Sequence, residues 1–174
     1  IAASNHASET SFVGHNYGFR PYFKDALQGK HGRFYAIGMT TGLPGLFLAD
    51  GVVVEGHEVA GVIAIKKGFS VLEDSWRRAG QQVILTNSDG VVLLASDPEW
   101  RYRALTPLTE TQKQKIGAVR QFSGQPLDPL QWRVKADNRA VIGGDERMHL
   151  VADDLPDGWQ LHYFADDDRA VARS

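Results

Sequence analysis

The sequence predicts an α+β chain of two small modules in tandem, each an antiparallel sheet with a short helix. Three observations point there. β-branched runs of strand length are punctuated by Gly, Pro, Asn and Asp turns. The only helical patterns are short. A strand ending Ala-Ser-Asn at Ile1–Asn5 is echoed by one ending Ala-Ser-Asp at Val91–Asp97. An aromatic and basic segment follows each: Tyr17-Gly18-Phe19-Arg20-Pro21-Tyr22-Phe23 in one, Trp100-Arg101-Tyr102-Arg103 in the other.

Taken in order, Ile1–Asn5 reads as the end of a strand, and the abrupt start implies an upstream helix and strand outside this chain. Asn16 to Gln28 reads as helical. Pro21 lies near its start, where a missing N–H costs least. Arg33–Thr41 reads as a strand and Gly42-Leu43-Pro44-Gly45 as a loop. Leu46–Leu48 is a short strand turned by Ala49-Asp50-Gly51, and Val52–Val54 resumes pairing before a turn at Glu55–Glu58. Val59–Lys67 is a β-branched strand. Ser70–Arg78 is a helix with Ser70 as N-cap, Glu73 three residues on, and Gly80 as its stop.

The pattern then restarts. Gln82–Thr86 and Val91–Ser96 flank an Asn87-Ser88-Asp89-Gly90 hairpin turn. Thr109–Gln121 is an amphipathic helix. Gln131–Asp137, Arg147–Asp153 and Gly158–Asp166 are three more strands. The module boundary falls near Gly80, giving residues 1–80 and 81–174.

Composition narrows the function classes. With 43% hydrophobic and 23% charged residues the chain is globular, not disordered. A net charge of −2 without a basic block argues against nucleic-acid binding. The absence of cysteine excludes disulfides, thiolate zinc sites and cysteine catalysis. The histidines His6, His15, His31, His57, His149 and His162 lack metal-site spacing. The Asp166-Asp167-Asp168 run lacks the spaced ligands and Gly of a calcium loop. No nucleophile-elbow motif supports hydrolysis. No metal, cofactor or catalytic residue is therefore expected, and no 18-residue apolar run crosses a membrane.

Ser11-Phe12-Val13-Gly14-His15-Asn16-Tyr17-Gly18-Phe19-Arg20-Pro21-Tyr22-Phe23 and Gly32–Gly45 resemble the membrane-distal sensing module of DctB-type C4-dicarboxylate sensor histidine kinases. So do Gly61–Lys66 and Leu72–Trp76. Thr86–Val92 and Trp100–Leu105 continue the likeness in order through the second half. The resemblance implies a double-Cache architecture, two PAS-like modules displayed in the periplasm between membrane helices. It implies a homodimer formed through a stalk outside this chain, and a kinase core outside it as well. It implies a small dicarboxylate ligand held by Arg20 at one end and Lys66 at the other, with Tyr17 near Arg20.

The residues give this reading some independent footing. Arg presents a planar fork to a carboxylate, and Lys neutralises as a compact charge. Strand alternation puts Ala36, Gly38 and Thr40 on one small face of Phe34–Thr41, and Lys66 on a face with Ala64 and Val62. Thr41 and the N–H groups near Gly42 add donors. Taken alone, Arg20 in an aromatic loop reads as a surface cation stacked on a ring, and Lys66-Lys67 as the solvated end of a strand. Amino-acid-binding Cache modules share a Tyr17-x-x-Arg20-x-Tyr22 opening, but Lys66 would repel an amine. The second module, lacking a cation on a small face, is expected to relay movement and not to bind ligand.

Overall fold

The computed structural model describes Ile1, Ser4 and residues 11–56 and 58–166. The expected strand at Ile1–Asn5, His6, His57 and the Asp166-Asp167-Asp168 run lie wholly or partly outside those residues. The chain forms two compact units: Ile1–Gly68 with Gln114–Ser123, and Phe69–Lys113 with Gly124–Ser174. The boundary expected near Gly80 lies one helix beyond the observed division.

The first unit is helix α1 (Pro21–Leu27) on a three-stranded antiparallel sheet of β1 (Gly32–Ile37), β2 (Pro44–Val53) and β3 (Val59–Lys67), in that order. Pro21 opens α1, and Arg20 is its N-cap residue. Tyr22 and Ala26 turn inward onto Ala49, with Phe23, Phe34, Phe47 and Val62 packed around them. The helix approaches the sheet closely because two positions there have no side chain. A Cβ at Gly32 would lie 2.1 Å from the Tyr22 carbonyl oxygen, and one at Gly51 would lie 2.7 Å from that of Ala26.

Gly51 also explains a departure from the sequence reading. The Ala49-Asp50-Gly51 turn does not exist, because β2 runs through it for ten residues. Asp50 pairs with Ile63 and Gly51 with Val62 across the ladder. The glycine serves helix approach, and the exposed Asp50 carboxylate shares a hydrogen bond with His31 Nδ1. β1 in turn stops at Ile37, four residues early. Gly38 N–H donates to the Leu43 carbonyl at 2.8 Å and Gly42 N–H to the Gly38 carbonyl at 2.8 Å, closing a tight loop. Thr40 is therefore placed by a turn and not by strand alternation.

The segment Gln114–Ser123 completes this unit from far along the chain. Ile37 N–H donates to the Gln121 carbonyl at 2.9 Å, and the Gln121 side-chain amide donates to the Tyr35 carbonyl at 2.9 Å.

The second unit is a six-stranded antiparallel sheet. Its strands are β4 (Gln82–Thr86), β5 (Val92–Ala95), β6 (Trp132–Lys135), β7 (Arg139–Ile142), β8 (Asp145–Ala152) and β9 (Gln160–Ala165). They lie in the order β5-β4-β9-β8-β7-β6. β7 was not foreseen. It is four residues long, between positive-φ Asp137-Asn138 and Gly143-Gly144, so its turns outweigh its strand pattern. Ile84, Val92, Ala95, Leu130, Ala140, Ile142 and Phe164 form the core, with Trp100, Leu105 and Trp132 against it.

Helix α2 (Ser70–Arg78) belongs with this second unit. Ser70 is its first helical residue and not its N-cap; Phe69 holds that place without a side-chain cap. Glu73 does not close a capping box either. It turns inward, where it accepts the Ala95 N–H at 2.9 Å and both arms of Arg101 at 2.6 and 3.2 Å. Arg77 donates to the Ser96 carbonyl at 3.2 Å, which ties the helix to the end of β5. Helix α3 (Glu110–Ala118) begins in this unit, where Gln112 donates to Asp89 at 3.3 Å.

Beside the core, His149 and His162 stack at 5.2 Å with ring planes 8° apart. His149 Nε2 and His162 Nδ1 share a hydrogen bond of 2.9 Å, so one ring donates and the other accepts. Trp132 meets both rings edge-on. Burial first, and the neighbouring His149 second, push His162 down to about 4.

Candidate ligand site

The first unit contains a cavity of about 770 Å³. Tyr17, Tyr22, Gly38, Thr40, Thr41, Phe47, Ala64 and Lys66 are among its walls, and no Asp or Glu is among the described residues that line it. The register explains the grouping. Phe34 pairs with Phe47 across β1 and β2, and Phe47 with Lys66 across β2 and β3. The three side chains therefore form one row on the face that carries α1.

Phe47 is the centre of that row. Its ring stacks on Tyr22 at 5.1 Å with the planes 4° apart. The Arg20 guanidinium carbon lies 6.0 Å from the ring centroid and Lys66 Nζ lies 5.6 Å from it. Two cations thus share one aromatic neighbour. Cations near a ring face are attracted by its quadrupole, which offsets part of their desolvation.

Arg20 is 1% exposed. Phe19 and Phe34 also flank its guanidinium, at 5.6 and 5.5 Å. Nη2 donates to the Ile37 carbonyl at 3.1 Å, while Nη1 is buried without a hydrogen-bond partner among the described residues. No carboxylate pairs with Arg20 among those residues. Burial pushes its pKa down, and Arg120 pushes the same way. A buried guanidinium with an unpartnered N–H and no carboxylate beside it among the described residues is costly, since buried charge is expensive without compensation. Arg20 is not itself among the cavity's wall residues; Phe47 and Tyr22, which are, adjoin it.

Lys66 extends to the other side. Nζ donates to Thr41 Oγ1 at 3.0 Å and to the Leu43 carbonyl at 2.6 Å. Burial lowers its pKa, and the Arg20 charge lowers it further. The Tyr17 hydroxyl hydrogen-bonds Thr40 Oγ1, so it rests on the turn and not on Arg20.

All six residues singled out from the sequence (Tyr17, Arg20, Gly38, Thr40, Thr41 and Lys66) lie in this unit. Five line the cavity and Arg20 stands behind it. The sequence reading passed over Phe47 and Arg120. Phe47 becomes visible only once the β-register is known. Arg120 also lies over Phe19, at 5.2 Å, a hundred residues from Arg20 in the chain, and no local pattern announces it.

Two α+β units, a cavity lined by Lys66 with the buried Arg20 adjoining its Phe47 wall, and no acidic side chain among the described wall residues suit the binding of a small anionic ligand. Comparison with known proteins gives the class. No protein-family model matches the chain. It is 34% identical over 134 residues to the C4-dicarboxylate transport sensor protein DctB of Pseudomonas aeruginosa, and 36% identical over 133 residues to that of Rhizobium meliloti. These matches cover 77% and 76% of the chain but only 22% and 21% of the relatives, so the chain spans about a fifth of their length.

In fold it is similar to the sensor domain of the Vibrio cholerae histidine kinase DctB. The TM-score is 0.78 at 24% identity, over 92% of this chain and 65% of that one. The ligand-binding domain of the Pseudomonas fluorescens chemoreceptor CtaA, solved with L-isoleucine, gives 0.56 at 18% identity over 93% and 63%. That of the amino-acid chemoreceptor PctB of Pseudomonas aeruginosa gives 0.58 at 13% over 97% and 68%. The chain is a DctB-type sensor region, the periplasmic part of an inner-membrane sensor protein. No described helix is long and apolar enough to cross a membrane.

Proposed function

We propose that this chain binds a four-carbon dicarboxylate such as succinate, malate or fumarate, and passes that event to a histidine kinase core elsewhere in the protein. The observation that carries the reading is the pair of cations, Arg20 and Lys66, at 6.0 and 5.6 Å from the Phe47 ring centroid, with no acidic residue among the described residues of the cavity wall. A dianion with charges at both ends supplies what each cation lacks. Arg20 Nη1 takes one carboxylate. Lys66, with the hydroxyls of Thr41, Thr40 and Tyr17, takes the other. Gly38 leaves room at the turn.

The magnitudes are adequate. Charged hydrogen bonds contribute about 1.5–3 kcal/mol each, and micromolar affinity corresponds to about 8 kcal/mol. Because Arg20 stands behind the Phe47–Tyr22 wall, a carboxylate reaches it only if that wall or the arginine moves. Such a closure differs in energy between free and bound states, which is what a signal requires. A homodimer, formed outside this chain, carries the signal onward in this reading, and the second unit acts as a relay.

An amino acid is the second reading, since the related folds of CtaA and PctB were solved with amino acids. It needs an acidic partner for the ammonium group, and the described cavity wall offers Lys66 instead. Calorimetric titration with succinate, malate and an amino-acid panel tests the choice. Saturable dicarboxylate binding is expected, weakened by about 2–5 kcal/mol in Arg20→Ala and by a similar amount in Lys66→Ala. Binding of amino acids alone would sink the dicarboxylate assignment.

A further inference from the structure

Lys66 is held in an extended pose by what its neighbours lack. Phe47 stands directly across the ladder from it. The diagonal neighbour on the same face, two residues back along β2, is Gly45. A Cβ built at Gly45 would lie 2.8 Å from Lys66 Cε, 2.9 Å from Lys66 Cγ and 2.9 Å from the Lys67 carbonyl oxygen. A Cβ built at Gly38 would lie 2.8 Å from Lys66 Nζ and 2.6 Å from Thr41 Oγ1. Real Cβ contacts are not that short, so a side chain at either place displaces the lysine or its hydroxyl partner. Neither glycine has the left-handed backbone that favours glycine for conformational reasons. Space is the remaining reason for both.

We propose that Gly45 and Gly38 are positioning residues of the ligand site: they form a slot, walled by Phe47, in which the Lys66 chain lies with its ammonium aimed at the Thr41–Leu43 turn. This rests on the proposed dicarboxylate reading for the ligand's identity, but the slot itself is a property of the empty site. Its effect is preorganisation. A free lysine chain samples many rotamers, and ordering it on binding would cost affinity. The slot orders it beforehand. It also fixes how far the second positive charge stands from Arg20, and so which spacing of two carboxylates is accepted. Gly38 thereby has a task beyond making room for ligand.

The test uses Gly45→Ala, with Gly38→Ala as a second variant should the first not fold. Two readouts are combined. Without ligand, NMR titration of protein labelled at lysine Cε follows the Lys66 ammonium, which burial and Arg20 hold below the ordinary lysine value. In Gly45→Ala that titration is expected to move back toward the ordinary value. With ligand, succinate affinity is expected to fall about tenfold or more, and Gly45→Ala is expected to cost nothing further when added to Lys66→Ala. An unchanged Lys66 titration, or an equal affinity loss in the presence and absence of Lys66, would overturn the slot. If the native protein binds no dicarboxylate, the functional reading falls, and the titration alone still decides whether the slot exists.

Discussion

In the first unit Arg20 is 1% exposed and has no carboxylate beside it among the described residues; in the second, Glu73 is 3% exposed and Arg101 bridges both of its oxygens. Both are charges buried within small domains, where burial without compensation is expensive. The second unit compensates internally, with a bidentate pair and the Ala95 N–H. The first compensates only in part, with three aromatic rings and one carbonyl. A complete network serves stability. An incomplete one carries a standing cost, which in the proposed function a ligand of opposite charge offsets.

The contrast breaks most sharply at Glu73. Glu73→Ala takes from Arg101 the carboxylate that accepts two of its N–H groups, and takes from the Ala95 N–H its acceptor. It is expected to destabilise the protein by about 3–5 kcal/mol in chemical denaturation. An effect within experimental error would mean that the pair is not the support described.

The histidine pair sharpens the comparison through pH. His162 titrates near 4 in the folded protein, below the ordinary value of 6.5, and His149 is lowered in the same direction. The unfolded chain therefore binds more protons between those values. The stability that comes from keeping the pair neutral is fully present above about 6.5 and is lost as pH falls toward 4, by about 3 kcal/mol for His162. Melting temperature measured from pH 7 to pH 4 should show that slope, and His162→Phe should flatten it. An identical slope in the variant would assign it elsewhere.

The smallest effect has the opposite sign. Arg20→Met removes an uncompensated buried charge while keeping its packing volume. The ligand-free protein is expected to gain about 1 kcal/mol, even as dicarboxylate binding is lost. Equilibrium denaturation without ligand measures it, and a loss of stability would show that the three rings already repay the desolvation of Arg20.

Much of the fold could be read from local signals. Val59–Lys67, Ser70–Arg78 and Gln82–Thr86 have the bounds expected of them, because each is bracketed by turn residues and has a clear period. The errors have a common cause. Ala49-Asp50-Gly51 carries turn chemistry, but Gly51 is there to admit α1, so a tertiary need imitated a local one. Glu73 had the spacing of a capping residue and was recruited instead by Arg101, twenty-eight positions away. At the candidate site the charged residues were visible as types. The ring between them, the second arginine at Phe19 and the empty slot beneath Lys66 were not. Each depends on register or on a segment distant in sequence, and alternation along a single strand carries neither.

The segment Gln114–Ser123 gives the first unit a history in time as well as a shape. Its Gln121 holds the end of β1 through two hydrogen bonds, yet it is made only after β4 and β5 of the other unit. On the ribosome the strands around Arg20 and Lys66 emerge early, but the last contact that secures them arrives some fifty residues later. Domains that finish from a discontinuous segment cannot close one by one in the order of synthesis. A nascent chain arrested before Gln114 lacks that contact, so the first unit is completed only after the chain has begun the second.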